Sequence, residues 1–339
     1  MKKRILFASA ALAVLLVANT SQATPLFTAD FETDTTASWT TNSGPSVNAV
    51  DYYFDYSTVG IPAAPSGTGT RGLKLQANLN PNIAAGLTGA PSSSSPGGTY
   101  ATGGVQGGIT VSPTGENFAG DYLVKFDWWG NYNGPVNGGG NGTTQVSQFG
   151  IGTVGNTSQW VGGVKDSVSF AATLDGGSAA DFRAYSSAAP NSYASGNSVY
   201  AAPAGAINNS NAFYGTPFPA GSGAPAAQLG SFPLQTGTTG AGVTGFKWND
   251  VEIRKQGNLA TWTVNGTLLA TVDLTTVTLG GGNILFGHSD TNNGASVDAT
   301  HPQLLFTLID NVVVTPEPTS LSLMGLSVLG LLARRRAGR

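Results

Sequence analysis

Few side chains in this 339-residue chain could do chemistry, so each can be weighed in turn. Glycoside hydrolysis needs two carboxylates, about 5–5.5 Å apart where configuration is retained. Ahead of Glu317 the chain has three glutamates, Glu32, Glu116 and Glu252, and no two share a candidate strand. Asp250 and Glu252 stand two residues apart and could share a strand face. A solvated strand face explains that spacing equally well. His288 and His301 are the two histidines, both expected in loops, with Asp290 near enough in sequence to complete a metal pair with His288. A solvated loop histidine is the plainer expectation. A serine nucleophile would need a Gly-x-Ser-x-Gly elbow between a strand and a helix. The Gly-Ser stretches here have no helix to follow them. With no cysteine, thiol catalysis, disulfides and thiolate metal sites are excluded. No residue set amounts to a catalytic site, and the chain reads as non-enzymatic.

Binding groups are easier to find. Asp127-Trp128-Trp129-Gly130-Asn131-Tyr132 puts two indoles beside amide and carboxylate groups, the types that stack on sugar rings and read their hydroxyls. Adjacent strand residues point to opposite faces, so one tryptophan is expected in the core and the other at the surface. Trp160, between Gln159 and Gly162-Gly163, is a second candidate on a loop, and Tyr52-Tyr53-Phe54-Asp55-Tyr56 a third. The competing account of every one of these aromatics is sheet packing, which strands favour. The glycan-binding set is therefore Asp127, Trp128, Trp129, Asn131, Tyr132 and Trp160.

Elements must hold these groups in place, and composition says which kind. With 48 Gly, 18 Pro and only 10% charged residues, long helices are disfavoured. Short runs rich in β-formers recur between Gly, Asn and Ser clusters: Leu26–Glu32, Gly72–Leu79, Asp121–Trp129, Gln145–Gly152, Ser167–Leu174 and Leu304–Val314 among them. An all-β, antiparallel β-sandwich over residues 24–314 follows, with an irregular Ala/Gly/Ser/Pro-rich insertion at about 187–242. Asn265-Gly266 predicts a type I′ hairpin between Thr261–Val264 and Leu268–Val272.

Both ends read as addresses. Lys2-Lys3-Arg4, the apolar run from Ile5 to Val17 and Ser21-Gln22-Ala23 form a signal peptide over 1–23, cleaved after Ala23. At the other end, 315–339, Pro316-Glu317-Pro318 precedes an apolar run, Leu321 to Ala333, and Arg334-Arg335-Arg336. As a transmembrane helix these ~13 residues span about 20 Å, short of the ~30 Å hydrocarbon core, which suits transient retention in the inner membrane. Seven of the 15 basic residues lie in these end segments, leaving eight against 17 carboxylates and a net charge of about −9. That charge disfavours nucleic acid and acidic polysaccharide and leaves neutral glycans unaffected.

The C-terminal order of motif, apolar run and arginines resembles the PEP-CTERM sorting signal. The resemblance implies processing by an exosortase, a membrane transpeptidase-like protease, and delivery to the cell surface or extracellular matrix of a bacterium that makes exopolysaccharide. Trp248, Val251 and Ile253, the Trp262–Gly266 turn, and the closing Phe306–Val314 resemble concanavalin A-like and laminin G-like jelly rolls, whose last strand pairs beside the first. Lys125–Pro135, Asp175–Tyr185, Trp248–Ile253 and Asn283–Asp290 resemble PEP-CTERM proteins with such a body. Laminarinase-type enzymes of that fold carry Glu-x-Asp-x-x-Glu. Here Glu32-Thr33-Asp34 is followed by Ala37, so that site is incomplete. Related extracellular jelly rolls hold a structural calcium where first and last strands meet, which implies Glu32 and Asp310 as its ligands. The expectation is a non-enzymatic surface or matrix protein that binds polysaccharide, such as exopolysaccharide. A carbohydrate-active enzyme (glycoside hydrolase or lyase) with an unrecognised site and a purely structural surface protein stand as alternatives.

Overall fold

The computed structural model describes residues 23–44, 46, 48–77, 107–132, 144–160, 163–231, 235–291 and 304–317. The expected signal peptide up to residue 22, His301 and the tail from Pro318 onward, with Arg334, Arg335 and Arg336, lie outside the described residues. Among the described residues no helix is long and apolar enough to cross a membrane.

The protein is an antiparallel β-sandwich. Among the described residues fourteen strands run β1 (Phe27–Ala29), β2 (Trp39–Ser43), β3 (Ala49–Asp55), β4 (Arg71–Gln76), β5 (Gly107–Pro113), β6 (Tyr122–Asn131) and β7 (Gln145–Thr153). They continue as β8 (Val168–Thr173), β9 (Phe182–Tyr185), β10 (Trp248–Gln256), β11 (Leu259–Val264), β12 (Thr267–Asp273), β13 (Asn283–Asp290) and β14 (Phe306–Pro316). One sheet has the order β12-β11-β10-β6-β14-β4-β3, with β1 on β14; the other has the order β2-β5-β13-β7-β8-β9. The chain crosses between sheets eight times, the winding of a jelly roll.

Register fixes what faces inward. Phe126, Trp128, Phe149, Ile151, Phe170 and Phe286 are all buried in one core. The Phe126 ring lies 5.0 Å from both Phe149 and Phe286, and Phe170 stacks on Trp262 at 5.4 Å. Burying one such aromatic side chain is worth roughly 1.5–3 kcal/mol. Asn265 and Gly266 both have positive φ, as the expected type I′ hairpin between β11 and β12 requires. β14 pairs with β1 through Phe27↔Val314, so the last strand does lie beside the first.

Trp39–Ser43 is a strand that composition concealed. Four of its five residues are polar, and it is an edge strand whose buried residue is Trp39. The insertion is built into the core: the rings of Tyr214 and Phe218 both stack on Phe182, at 3.8 Å and 5.4 Å. It also carries a short helix, α1 (Ala226–Ser231).

Candidate functional site

β6 lies at the centre of the eight-stranded sheet, between β10 and β14. Trp128 points inward, fully buried, and its Nε1 donates to Ser147 Oγ at 2.8 Å. Trp129 points the other way and was expected at the surface, yet it is only 3% exposed. Its ring packs on Trp248 at 5.7 Å and its Nε1 donates to Asn131 Oδ1. The physical reason is cover. Gln228 of α1 exchanges hydrogen bonds with the Asn131 amide, and Gly60 lies against Ala227. Tyr132 is buried against Phe246, with ring centroids 4.4 Å apart. Neither tryptophan of this pair offers a face to a sugar. Trp160 is half-buried and belongs to the other sheet, so it does not join them.

His288, expected in a loop, is buried in β13. Gln145 Nε2 donates to Asp290, so its Oε1 accepts from His288 Nε2. Nδ1 must then accept from the Thr307 hydroxyl at 2.8 Å, which in turn accepts from Ser147 at 2.6 Å. Burial holds the imidazole neutral, its pKa down to about 3. Every proton in this chain is committed, so it is a structural spine between the sheets.

Asp127 and Asp310 form a different kind of place. They are cross-strand partners on β6 and β14, buried, at a bulge where Asn311 adopts φ +52°. Ser66 donates to Asp127 through its amide and hydroxyl, and Asn311 Nδ2 donates at 2.9 Å. Tyr56 Oη and the Asn311 amide donate to Asp310. Glu32 stands nearby, its Oε1 taking the Arg71 amide at 2.9 Å. Gly67 and Gly69 let the 62–70 loop close over the group, because a Cβ at either would strike Asn311 or the Glu32 carboxylate. No ion pair to Asp127, Asp310 or Glu32 is found among the described residues. Burial, and then the neighbouring Asp127 and Glu32 charges, raise the Asp310 carboxyl to about 7 against the hydrogen bonds that lower it. The oxygen-only donor set is of the kind hard cations take. However, no three Asp, Glu or His side chains gather as a metal cluster among the described residues.

The outer face of the six-stranded sheet carries groups that motif reading missed. Phe149, Ile151, Phe170 and Ala184 face the core, so by alternation Gln148, Gly150, Ser169 and Tyr185 face outward. The loop between β7 and β8 lies on this face. Gln159 accepts from Gln148 Nε2 through its carbonyl at 2.9 Å, and its amide meets Thr110 Oγ1. Trp160 sits over Gly44 and Gly108, whose missing side chains make room for it. Lys165 Nζ donates to the Trp160 and Gly163 carbonyls and lies 5.2 Å from the Tyr185 ring centre. Burial lowers this ammonium's pKa to about 8. Among the described residues Gln148 Oε1 is buried without a hydrogen-bond partner on one side of Ser169, and on the other side the buried Tyr185 Oη has the Arg183 guanidinium as its candidate donor. Burial raises the Tyr185 hydroxyl's pKa, against the charge and the hydrogen bonding of Arg183, which lower it. The polar residues Gln145, Ser147 and Gln148 do not alternate with apolar ones, so the sequence does not say which face of β7 is the core.

The PEP-CTERM protein-sorting motif matches residues 314–336. No curated protein matches the chain. Among solved structures, a Bacillus subtilis protein of unknown function with a galectin-like fold is 8% identical, covering 87% of this chain and 96% of that one at a TM-score of 0.42. The Emp46p carbohydrate recognition domain in its potassium-bound form is 9% identical, covering 84% and 90% at 0.38. A Bacillus licheniformis β-glucanase is 12% identical, covering 62% and 72% at 0.30. These are jelly-roll neighbours, and at such identities and scores they carry no argument about a site. The sorting motif does: it marks the chain for export across the inner membrane, exosortase processing of the tail, and the cell surface or extracellular space.

Proposed function

We propose that this exported surface protein binds neutral polysaccharide through the outer face of its six-stranded sheet. The observation that carries the reading is the half-buried ring of Trp160 on a face of amides and hydroxyls, where Gln148 Oε1 is a buried acceptor with no partner among the described residues. A buried polar atom without a partner costs about 1–3 kcal/mol, a cost that a ligand hydroxyl would remove. Trp160, half-buried at the rim, supplies a ring for stacking, and Lys165 a further donor. Amides and hydroxyls dominate this face, whereas the buried carboxylate pair stands on the other sheet. That distribution favours binding over glycoside hydrolysis. A structural calcium at Glu32 and Asp310 would have to displace the hydrogen bonds that Tyr56 Oη and the Arg71 and Asn311 amides make to these carboxylates.

The test is to titrate residues 24–317 with neutral exopolysaccharide fragments from the source organism while tryptophan emission is followed. A saturable change is expected, lost in Trp160→Phe and weakened at least about tenfold in Gln148→Ala. Silence at millimolar sugar would overturn the binding reading and leave a structural surface protein.

A further inference from the structure

The sorting motif is continuous with the folded body. β14 runs without a break into it, and Pro316 still lies opposite Tyr122 of β6. The Glu317 amide donates to the Asp121 carbonyl at 3.0 Å. The Glu317 carboxylate is 11% exposed and takes Nη1 of Arg254, on β10, at 2.5 Å. Arg254 has a second, longer contact with Glu252 at 3.9 Å. Glu317 is the only charged residue between Asp310 and Arg334, so any protein that reads the motif by charge must read this carboxylate. It cannot do so while Arg254 holds it.

The hold is built to release from its end. β4 pairs with β14 only from Thr307 to Ile309, and β1 only to Val314. Beyond that point Thr315 and Pro316 have β6 as their one strand neighbour among the described residues. A proline, which brings no N–H to a ladder, is tolerated where one side is unpaired. Strand ends with one neighbour and solvent-facing bonds open locally at far lower cost than the core.

We propose that the folded body clamps its own sorting motif through Arg254 and Glu317, so that exosortase engages the tail only when the end of β14 has come away from β6. This device is independent of whether the body binds polysaccharide. It couples tail processing to the state of the body. A chain with a formed sandwich is processed at the rate at which Thr315–Glu317 frays, and a chain with no sandwich offers the motif freely.

The full chain, expressed in cells that contain the exosortase, tests this by pulse-chase of tail removal. Arg254→Ala should speed processing about two- to fivefold, the range expected for loss of one part-exposed ion pair. Arg254→Lys should stay near the native rate, and Glu252→Gln, which spares the clamp, should match it. Hydrogen exchange at the Glu317 amide should quicken in step with processing in Arg254→Ala, while the thermal midpoint of the body moves little. A four-residue Gly-Ser insertion between Val314 and Thr315 moves the motif off the clamp without touching Arg254, and should also speed processing. Processing that is unchanged or slower in both Arg254→Ala and the insertion variant, with faster exchange at Glu317, would overturn the clamp. That outcome would mean that the protease reads the docked motif.

Discussion

The two sheets treat their outer faces in opposite ways. On the eight-stranded sheet the uncovered part is a ladder of charges, with Lys125 reaching Glu252 at 2.8 Å and Asp250 at 3.8 Å, and Arg254 reaching Glu317. On the six-stranded sheet, β5, β7, β8 and β13 are buried on both faces. Its outer face carries amides, hydroxyls and small residues with Arg183 at the β9 edge, and Lys165 donates to carbonyls. Charge is cheap where water screens it, and it costs several kcal/mol per ion where water is removed. The exception proves informative: Asp127 and Asp310 belong to the charged sheet but lie under the 62–70 loop, so they have lost water and gained only neutral donors.

The largest effect that can break this comparison is therefore pH. The folded Asp310 carboxyl titrates near 7, against 3.8 for the unfolded group. Its raised value means that the native state binds the extra proton. Its contribution is fully present below about pH 3.8 and is lost as pH rises through 7. At about 1.4 kcal/mol for each pH unit, discounted for partial exposure, roughly 2–4 kcal/mol should go between pH 4.5 and pH 8. Denaturant melts across that range should show the loss, and Asp310→Asn should flatten it. Millimolar calcium at pH 8 should restore the stability of the native chain and leave Asp310→Asn unmoved. A flat native profile would mean that the loop admits water to the pair.

How much of this was legible follows from the same contrast. β6, β7, β8 and β11 are dense in β-branched and aromatic residues, and the Asn265-Gly266 turn states its own geometry, so the sandwich could be read from the chain. The tail could be read because Pro316-Glu317-Pro318 and its arginines are consecutive. Burial was not legible. Trp129 looks like an exposed alternate of Trp128 until α1, a hundred residues away, covers it through Gln228 and Asn131. His288 reads as a loop histidine because Gly287 and Ser289-Asp290 flank it, yet they continue β13. Asp127 could not be assigned to Asp310 without strand order, since 183 positions separate them in the chain. Gln148 and Tyr185 carry no motif at all; only the register of β7, β8 and β9 places them around Ser169.

A smaller effect sharpens the other side of the comparison. Tyr185→Phe removes a buried hydroxyl that makes no well-aligned hydrogen bond among the described residues, with only the Arg183 guanidinium acting on it, and keeps the ring. Without ligand its stability should stay level or rise by about 1 kcal/mol, the desolvation penalty recovered. Polysaccharide affinity should fall in the same variant. A stability gain together with a binding loss is the signature of a group kept for a ligand, and a stability loss would show instead that the hydroxyl has a partner in the folded chain.

The smallest effect belongs to the exposed ladder. Lys125 has two carboxylate neighbours, and its ammonium pKa is raised, first by the hydrogen bond to Glu252. That would suggest a strong anchor. Its side chain, however, is 44% exposed and those of Asp250 and Glu252 49% and 28%, so solvent and salt screen both pairs. Lys125→Ala should thus cost only about 0.5–1 kcal/mol in denaturant melts at low salt, and less than half of that in 1 M salt. The register partners Lys125↔Glu252 would keep their backbone ladder in either case. A cost above about 2 kcal/mol, insensitive to salt, would place this face under cover as well and erase the difference between the sheets. A small, salt-sensitive cost would show that this ladder is solvated, unlike the buried polar groups on the outer face of the six-stranded sheet.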